Sequence, residues 1–235
     1  MMRKILAVLM MIMLSVSILA SCGNSSGDTA ADDQNDTEAT EQEVSEEAEG
    51  SDSAGGDTLV VYFTRIGNTD GGFPEGVDAT TSASLQQTDD GLKGNAQMIA
   101  EWIADETGGD MFAIESEDLY PADYDATVEK ASKDQSAETR PALKSHVDNM
   151  DQYKTVVMVF PNWWGDLPMP VYSFFDEYDL AGKDIVVYVT HEGSRYSGTV
   201  STISELEPEA SVREGLSVRG GDVAGSEAEV RDSIK

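Results

Sequence analysis

The sequence predicts an α/β protein in which a doubly wound parallel sheet lies between two layers of helices. The run over 59–63 is apolar throughout and rich in β-branched and aromatic residues, which is typical of a strand buried on both faces, and further β-rich runs follow it along the chain. Segments with a helical spacing of apolar residues separate these runs, as in consecutive strand–helix–strand units. Residues 58–235 are enough for one domain with a substantial core and too few for two such domains.

The predicted elements alternate along the folded part. Strands are predicted at 59–63, 111–114, 155–160, 185–190 and 212–218. Helices are predicted from about residue 95 to the glycine pair at 108–109, and over 126–133, 169–178, 198–206 and 224–235. Ligands bind outside the carboxyl ends of strands in such sheets, so function is expected in the loops after the first, third and fourth strands.

The first 21 residues predict export. Arg3 and Lys4 precede an apolar stretch over 5–20 that is short for a membrane-spanning helix, which is typical of a secretory signal peptide. Cys22, the only cysteine of the chain, directly follows Leu-Ala-Ser, and this ending resembles the lipobox of bacterial lipoproteins. The resemblance implies that Cys22 is lipidated and holds the protein to the outer, extracytoplasmic side of the bacterial cell membrane. The alternative is an ordinary signal peptide with a chance cysteine.

Residues 22–57 predict a disordered acidic tether. Positions 23–57 contain twelve acidic residues, no basic residue and no aromatic one, so they cannot bury enough apolar surface to fold. The chain has a formal charge of −30, of which −20 falls on residues 58–235. This excess argues against nucleic-acid binding, which requires clustered cations. One cysteine and two histidines, His146 and His191, are too few for a disulfide framework or for a cysteine- or histidine-rich metal site.

The loop after the first strand, residues 64–69, reads Thr-Arg-Ile-Gly-Asn-Thr. Its hydroxyls, glycine and backbone N–H groups suit a phosphate at the start of a helix. The patterns GxxxxGK[ST] and GxGxxG are both missing, which argues against a nucleoside-triphosphate loop and a dinucleotide fingerprint. A mononucleotide phosphate fits the loop, and an ordinary strand–helix turn fits it equally well.

Two adjacent tryptophans follow the third strand, in the run 161–170 with the sequence Pro-Asn-Trp-Trp-Gly-Asp-Leu-Pro-Met-Pro. Trp163 and Trp164 cannot both point into one core from the end of a strand. We interpret them as a flat aromatic wall for a planar ligand, with Gly165 allowing the backbone to come close. The alternative is one core tryptophan beside one that is exposed by accident.

The loop after the fourth strand, residues 190–198, combines glycines with polar side chains that suit the edge of a ring. His191 and Glu192 are adjacent, and adjacent side chains in extended chain point apart. We therefore favour a role for His191 and Glu192 in orienting the loop or in contacting the edge of the ring over a role as an acid–base pair. Ser197 lacks the GxSxG surroundings of a hydrolase nucleophile. The sequence therefore assigns no catalytic residue.

These loops closely resemble those of the flavodoxin family, in particular bacterial flavodoxin-like proteins with a Pro-x-Trp-Trp-Gly-x-Leu-Pro-x-Pro loop. The matching stretches are 59–69, 162–174, 190–198 and 212–222, and the tryptophan loop is the most specific of them. The resemblance implies a five-stranded parallel sheet in the order 2-1-3-4-5. It also implies that the protein binds FMN without a covalent bond and exchanges one or two electrons through it.

The resemblance further places the FMN site on particular residues. Phosphate contacts would come from Thr64, Arg65, Ile66, Gly67, Asn68 and Thr69. Ring contacts would come from Pro161, Asn162, Trp163, Trp164, Gly165, His191, Glu192, Gly193, Ser194, Tyr196 and Gly198. The backbone of 162–165 would meet the N5 side of the flavin, Trp163 or Trp164 would cover the ring, and Gly193 and Ser194 would face its pyrimidine edge.

The chain departs from the family between the phosphate loop and the first helix. Residues 70–94 intervene there, and their Gly, Asp, Ser and Thr content predicts an excursion without regular structure. Gly94, Asn95 and Ala96 at the helix start repeat the Gly-Asn pattern of the loop, so either Asn68 with Thr69 or Asn95 with Ala96 could complete the phosphate site. This insert could also roof the flavin or dock a partner.

Three functions stay open at the level of the sequence. The first is a lipid-anchored FMN electron carrier, steered by its acidic surface to basic patches on redox partners that the sequence does not name. The second is an FMN-dependent reductase that uses NAD(P)H to reduce quinones or other small acceptors. The third is a binding module on the same fold that has lost FMN.

Overall fold

The computed structural model describes residues 56–73, 83–89 and 91–235. The predicted signal peptide, Cys22 and the tether up to residue 55 lie outside the described residues. Across the described ranges, no helix combines the length and the apolar character needed to cross a membrane.

Strands and helices alternate as the sequence predicts. The strands of the described residues are β1 (Thr58–Tyr62), β2 (Thr69–Asp70), β3 (Leu85–Thr88), β4 (Gly91–Gly94), β5 (Asp110–Ala113), β6 (Tyr120–Pro121), β7 (Thr155–Pro161), β8 (Asp184–His191) and β9 (Ser211–Arg219). The helices are α1 (Asn95–Thr107), α2 (Tyr124–Ser136), α3 (Met169–Glu177), α4 (Thr199–Leu206) and α5 (Glu227–Ser233). Short 3₁₀ segments lie at Met150–Gln152 and Gly220–Gly225.

The central sheet has the order β5-β1-β7-β8-β9, and every neighbouring pair is parallel. Numbered within this sheet along the chain, the order is 2-1-3-4-5, which confirms the predicted fold class. The strand order reverses between β1 and β7, so the carboxyl ends of these two strands mark the switch point where such sheets bind ligands.

Helices cover both faces of the sheet. Val156, Met158 and Phe160 of β7 pack into one core layer with α2, α3 and α4, whereas Val157 and Val159 pack into the other with α1 and α5. Both alternating sets are buried, which explains why the strand is apolar from Val156 to Phe160. Helix α1 ends at Thr107, and Gly108 caps it with a φ of +64°, which is the left-handed conformation that the glycine pair at 108–109 predicts.

The insert differs from its expected irregular course in its described part. Strands β3 and β4 pair antiparallel, with Leu85 opposite Gly94, and β2 pairs with β6. These strands are short and polar, so they lack the apolar alternation that identifies a strand in a sequence. The last helix begins later than predicted, at Glu227, because a glycine-rich 3₁₀ segment precedes it and glycine disfavours the α-helix.

Candidate functional site

The loops after β1, β7 and β8 border a cavity of about 340 Å³ at the carboxyl edge of the sheet. This volume lies at the lower end of the range for small-molecule sites. The cavity is lined by Arg65, Ala83, Ser84, Tyr124, Asp125, Thr127, Val128, Asn162, Trp163, Trp164, Glu192 and Ser194.

The structure brings part of the predicted site together. The predicted residues that line the cavity are Arg65, Asn162, Trp163, Trp164, Glu192 and Ser194. Those that do not line it are Thr64, Ile66, Gly67, Asn68, Thr69, Asn95, Ala96, Pro161, Gly165, His191, Gly193, Tyr196 and Gly198.

Sequence reasoning missed two groups of lining residues, the insert pair Ala83 and Ser84 and the first turns of α2. The start of α2 does carry a sequence signal, since aspartate is a favoured N-cap residue. In the structure the Asp123 side chain accepts a hydrogen bond from the Ala126 N–H and caps the helix. No signal in the sequence shows that this end of α2 faces the cavity.

The tryptophan loop is a tight turn. The N–H of Trp163 donates to the carbonyl of Asp166 and the N–H of Asp166 donates back, both at 3.1 Å. Between them, Trp164 and Gly165 have φ values of +52° and +85°, which is the pattern of a type I′ turn. Left-handed backbone costs a residue with a side chain about 1–2 kcal/mol, so Asn-Gly is the usual pair at these positions. The turn therefore holds Trp164 in strained backbone.

The two tryptophans have different surroundings. The Trp163 ring packs edge-on against Phe63 at 5.4 Å and Tyr120 at 5.3 Å, and its Nε1 donates to Ser84 Oγ at 3.1 Å. Trp164 is 51% exposed, with its ring 6.0 Å from that of Trp163. Trp163 thus supports the loop from the core side, and Trp164 presents the flat surface that a planar ligand can meet.

Strained backbone is concentrated in the loops after β7 and β8. Among the described residues other than glycine, φ is positive at Glu138, Trp164, Arg195 and Ser197. Three of these four lie in the two loops, where the surrounding structure must hold a conformation that costs about 1–3 kcal/mol per residue. Such strain clusters at binding sites, and its position here agrees with the position of the cavity.

Asn162 fastens these two loops together. Its Oδ1 accepts from the N–H of Gly165 at 2.8 Å, and its Nδ2 donates to the carbonyl of Arg195 at 2.7 Å. A backbone hydrogen bond from Gly198 N–H to the Gly165 carbonyl, at 3.3 Å, adds a direct link. The wall formed by Trp164 is therefore held by the β8 loop as well as by its own turn.

His191 orients the loop after β8, as its sequence position suggests. Its Nδ1 accepts from the N–H of Gly193 at 2.8 Å, which requires that nitrogen to be unprotonated. Burial lowers the pKa of His191, and the nearby Arg195 and Arg219 guanidinium groups lower it further. Glu192 lines the cavity and lies 3.7 Å from Arg219. Tyr196 packs against the core instead, and burial raises its pKa.

Lowering the pH from 7.5 to 5.5 should destabilise the protein through His191. The pKa of His191 is lower in the folded than in the unfolded state, so the unfolded state binds more protons in this window. The free energy of unfolding therefore decreases as the pH is lowered. The loss begins near the unfolded value of about 6.5 and is complete below the folded pKa. The midpoint of urea unfolding should shift less with pH in His191→Gln than in the wild type, and an equal shift would contradict this role.

The side chains of Asn68 and Thr69 form hydrogen bonds with backbone groups of the first loop and of the loop after β5. Asn68 Nδ2 donates to the carbonyls of Thr64 at 2.9 Å and Ile114 at 2.8 Å, and its Oδ1 accepts from the N–H of Ser116 at 2.8 Å. The Thr69 hydroxyl donates to the Arg65 carbonyl at 2.8 Å. Asn68 therefore joins the loop after β1 to the loop after β5.

The insert covers the start of α1. The N–H of Asn95 donates to the Ser84 carbonyl at 3.0 Å, and its Nδ2 donates to the carbonyls of Ala83 and Leu85 at 3.2 and 3.4 Å. A Cβ added at Gly94 would lie 2.2 Å from Thr64 Oγ1, so only glycine lets the helix start lie against the first loop. A phosphate at the N–H of Asn95 would have to displace Ser84.

Arg65 brings a buried cation to the cavity. It is 1% exposed, and its Nη2 donates to the carbonyls of Pro121 and Ala122 at 3.2 and 3.0 Å and to Thr127 Oγ1 at 3.0 Å. Burial lowers the pKa of Arg65, yet a guanidinium stays charged in proteins at neutral pH. The first loop is thereby joined to the start of α2 through a charged group.

The fold and the cavity define a doubly wound α/β protein with a ligand site at the switch point of its sheet. The family model described as Flavodoxin matches residues 91–230, more than half of the chain, and the chain belongs to the flavodoxin family. This membership confirms the family that the sequence resemblance predicts.

Solved structures share the fold. A candidate flavoprotein from Bacteroides uniformis is 24% identical with a TM-score of 0.57, covering 77% of this chain and 98% of its own. A flavoprotein from Lactobacillus acidophilus, solved in complex with FMN, is 17% identical with a TM-score of 0.50, covering 74% of this chain and 99% of its own. No curated protein sequence matches the chain.

Proposed function

We propose that the protein binds FMN and carries electrons between redox partners. Trp164 carries the proposal: in a member of the flavodoxin family, a strained turn presents its half-exposed ring to a cavity at the switch point of the sheet. Membership of this family, and the similar flavoprotein solved with FMN, support FMN as the cofactor.

The residues around the cavity fit the parts of FMN. Trp164 offers an apolar surface for the ring system, Ser194 offers a hydroxyl, and the Arg65 guanidinium is a cation suited to the phosphate. When bound, FMN supplies transfer of one or two electrons. The protein binds and orients the ring, and its charges set the electrostatic potential around it.

The charge of the protein suits an electron carrier. Residues 58–235 have a formal charge of −20, and the carboxylates of Asp125 and Glu192 line the cavity. A negative electrostatic potential disfavours further negative charge on a bound ligand. It should therefore lower the reduction potential for the second electron that the flavin accepts. The same potential would steer the carrier toward basic surfaces on its partners.

The proposed location is the outer side of the cytoplasmic membrane. The cationic start, the apolar stretch over 5–20 and Cys22 support export followed by lipidation. In bacterial cells the full chain should then fractionate with membranes, whereas Cys22→Ser should not be retained there. A wild-type chain recovered in the cytoplasmic fraction would contradict this location.

A second candidate is an NAD(P)H-dependent reductase of quinones or similar small acceptors. Tyr124 and Trp164 line the same cavity and are 47% and 51% exposed, so apolar surface stays open to a second planar molecule. Sustained NAD(P)H oxidation with a quinone would favour the reductase over the carrier.

The first test is the visible absorption spectrum of the full chain, purified in detergent, mixed with FMN and desalted. We expect flavin bands that correspond to about one FMN per chain. A colourless protein would overturn both the carrier and the reductase. It would instead support a binding module that keeps the fold and has lost FMN.

A further inference from the structure

His191 joins the loop after β8 to the neighbouring strand. The residue is the last of β8 and its side chain is buried. Its Nδ1 accepts a hydrogen bond from the N–H of Gly193 at 2.8 Å, so the neutral ring carries its proton on Nε2. A second hydrogen bond joins the ring to the backbone of Ser217 in β9. The ring therefore ties the start of the loop to the sheet.

The hydrogen bond from Gly193 sets the position of the residues on either side of it. Glu192 and Ser194 line the cavity, whereas His191 and Gly193 do not. The φ of Gly193 is +131°, in the region that favours glycine. Among the described residues, no atom lies within 4 Å of the position that a Cβ of Gly193 would occupy. This part of the loop therefore depends on its bond to the His191 ring.

The same loop supports the tryptophan turn. Two residues beyond Gly193, the carbonyl of Arg195 accepts a hydrogen bond from Asn162 Nδ2 at 2.7 Å. Asn162 Oδ1 accepts in turn from the N–H of Gly165, next to Trp164, at 2.8 Å. A change of the loop at Gly193 can therefore reach both the polar and the aromatic side of the cavity.

A proton on Nδ1 of His191 would break the bond to Gly193. Imidazolium donates from both of its nitrogens, so the charged ring and the Gly193 N–H would be two donors that face each other. The loop would lose the contact that holds it, and the residues that line the cavity on this side would be released with it.

The charged groups around the ring come from the loop itself, from β9 and from the 3₁₀ segment that follows. They are Arg195, Arg219 and Asp222, and Glu192 lies 3.7 Å from Arg219. Burial lowers the pKa of His191 most, and the two guanidinium groups lower it further, against the opposite effects of the Ser217 hydrogen bond and of Asp222. The ring is therefore neutral at pH 7.5 and takes up its proton in the acidic range.

We propose that His191 is a positioning residue of the flavin site: its unprotonated ring holds the loop at the cavity, and one proton taken up by Nδ1 lowers the affinity for flavin. This inference rests on the proposed function. It adds proton-linked control of binding by a side chain that does not itself line the cavity. By linkage, bound flavin must favour the unprotonated ring and so lower the pKa of His191.

The test is the affinity of the full chain, purified in detergent, for riboflavin at pH 7.5 and at pH 5.0, measured by quenching of flavin fluorescence. Riboflavin has the ring system of FMN without the phosphate, whose second pKa of about 6 would otherwise titrate in this range. The affinity should be about fivefold or more lower at pH 5.0, because only protein with the unprotonated ring is competent to bind.

His191→Gln should make the riboflavin affinity independent of pH across this range. The amide of glutamine does not titrate, and its oxygen can still accept a hydrogen bond from the Gly193 N–H. Circular dichroism at both pH values separates a loss of affinity from unfolding.

His146→Gln is the matched control. His146 is the other histidine of the chain, and it pairs with Glu177 at 2.6 Å on the surface, outside the cavity. This variant should lose affinity at pH 5.0 to the same extent as the wild type. Because it keeps a single histidine, NMR of its imidazole follows His191 alone, and the pKa of that imidazole should fall when riboflavin is added.

The outcomes separate this inference from the proposed function. Equal riboflavin affinities at the two pH values, or a pH dependence that persists in His191→Gln, would overturn the role of His191 and leave flavin binding intact. If His191→Gln binds no riboflavin, the titration of His146→Gln decides, and an imidazole pKa that riboflavin leaves unchanged would overturn the proposal. A wild-type chain that binds neither FMN nor riboflavin at pH 7.5 would overturn the proposed function itself.

Discussion

Replacing Trp164 by alanine should weaken the binding of both FMN and riboflavin about 30-fold. The change removes the half-exposed ring that faces the cavity, and stacking of a heterocycle on an aromatic side chain contributes about 1–3 kcal/mol. Because the ring system is common to both flavins, their affinity ratio should not change. Fluorescence titration of the two flavins measures both quantities.

A comparison of Trp164→Asn with Trp164→Ala isolates the strain of the turn. Both variants lose the indole, but asparagine tolerates the φ of +52° and suits the position before Gly165 in a type I′ turn. The free energy of unfolding should therefore be about 1 kcal/mol higher for the asparagine variant. Flavin binding should be equally weak in the two variants.

Trp102→Ala is the control for loss of a tryptophan. Trp102 packs with the core layer of α1 and does not line the cavity, so flavin affinity should stay at the wild-type value. Flavin affinity that survives in Trp164→Ala would show that this residue is not the wall of the site. An alanine variant as stable as the asparagine variant would show that the turn imposes no strain.

Replacing Asn68 by alanine should lower the free energy of unfolding by about 3 kcal/mol. The side chain is buried and makes hydrogen bonds to Thr64, Ile114 and Ser116, and their loss leaves buried backbone groups without partners. For a domain of this size the melting temperature should fall by about 6–12 °C. Thermal unfolding followed by circular dichroism measures the change.

Thr69→Val is the matched variant in the same loop. It removes the single hydrogen bond from the Thr69 hydroxyl to the Arg65 carbonyl and should cost about 1 kcal/mol. The affinity for FMN should be unchanged in the folded Asn68→Ala protein. A stable Asn68→Ala protein that binds FMN much more weakly, and riboflavin as tightly as the wild type does, would show that Asn68 contacts the phosphate, as the family resemblance implies.

The strands could be predicted because their signal is local. Residues 156–160 are apolar at every position, as expected of a strand that helices cover on both faces. The Trp-Trp-Gly run could be assigned to the site because a strand end cannot bury two adjacent large rings. Which ring faces outward depends on the turn made with Asp166 and on the contacts of Trp163 with Phe63 and Tyr120.

The loop after β1 shows where local sequence patterns stop being informative. Residues 64–69 match a phosphate loop in composition, yet Asn68 is used in joining two loops and the start of α1 is covered by the insert. The polar strands of the insert acquire their structure from pairing with each other, which no single segment encodes.

By itself the amino-acid sequence determines the α/β class, the order of elements, the three loops to inspect for a ligand site and the acidic character of the protein. These properties follow from periodicity, composition and charge, which act over a few neighbouring residues. The tertiary structure alone places Tyr124 and Thr127 beside Trp164 and buries Arg65 among them. Such neighbours are far apart along the chain, and only the packing of α2 and the insert against the sheet edge brings them into one cavity.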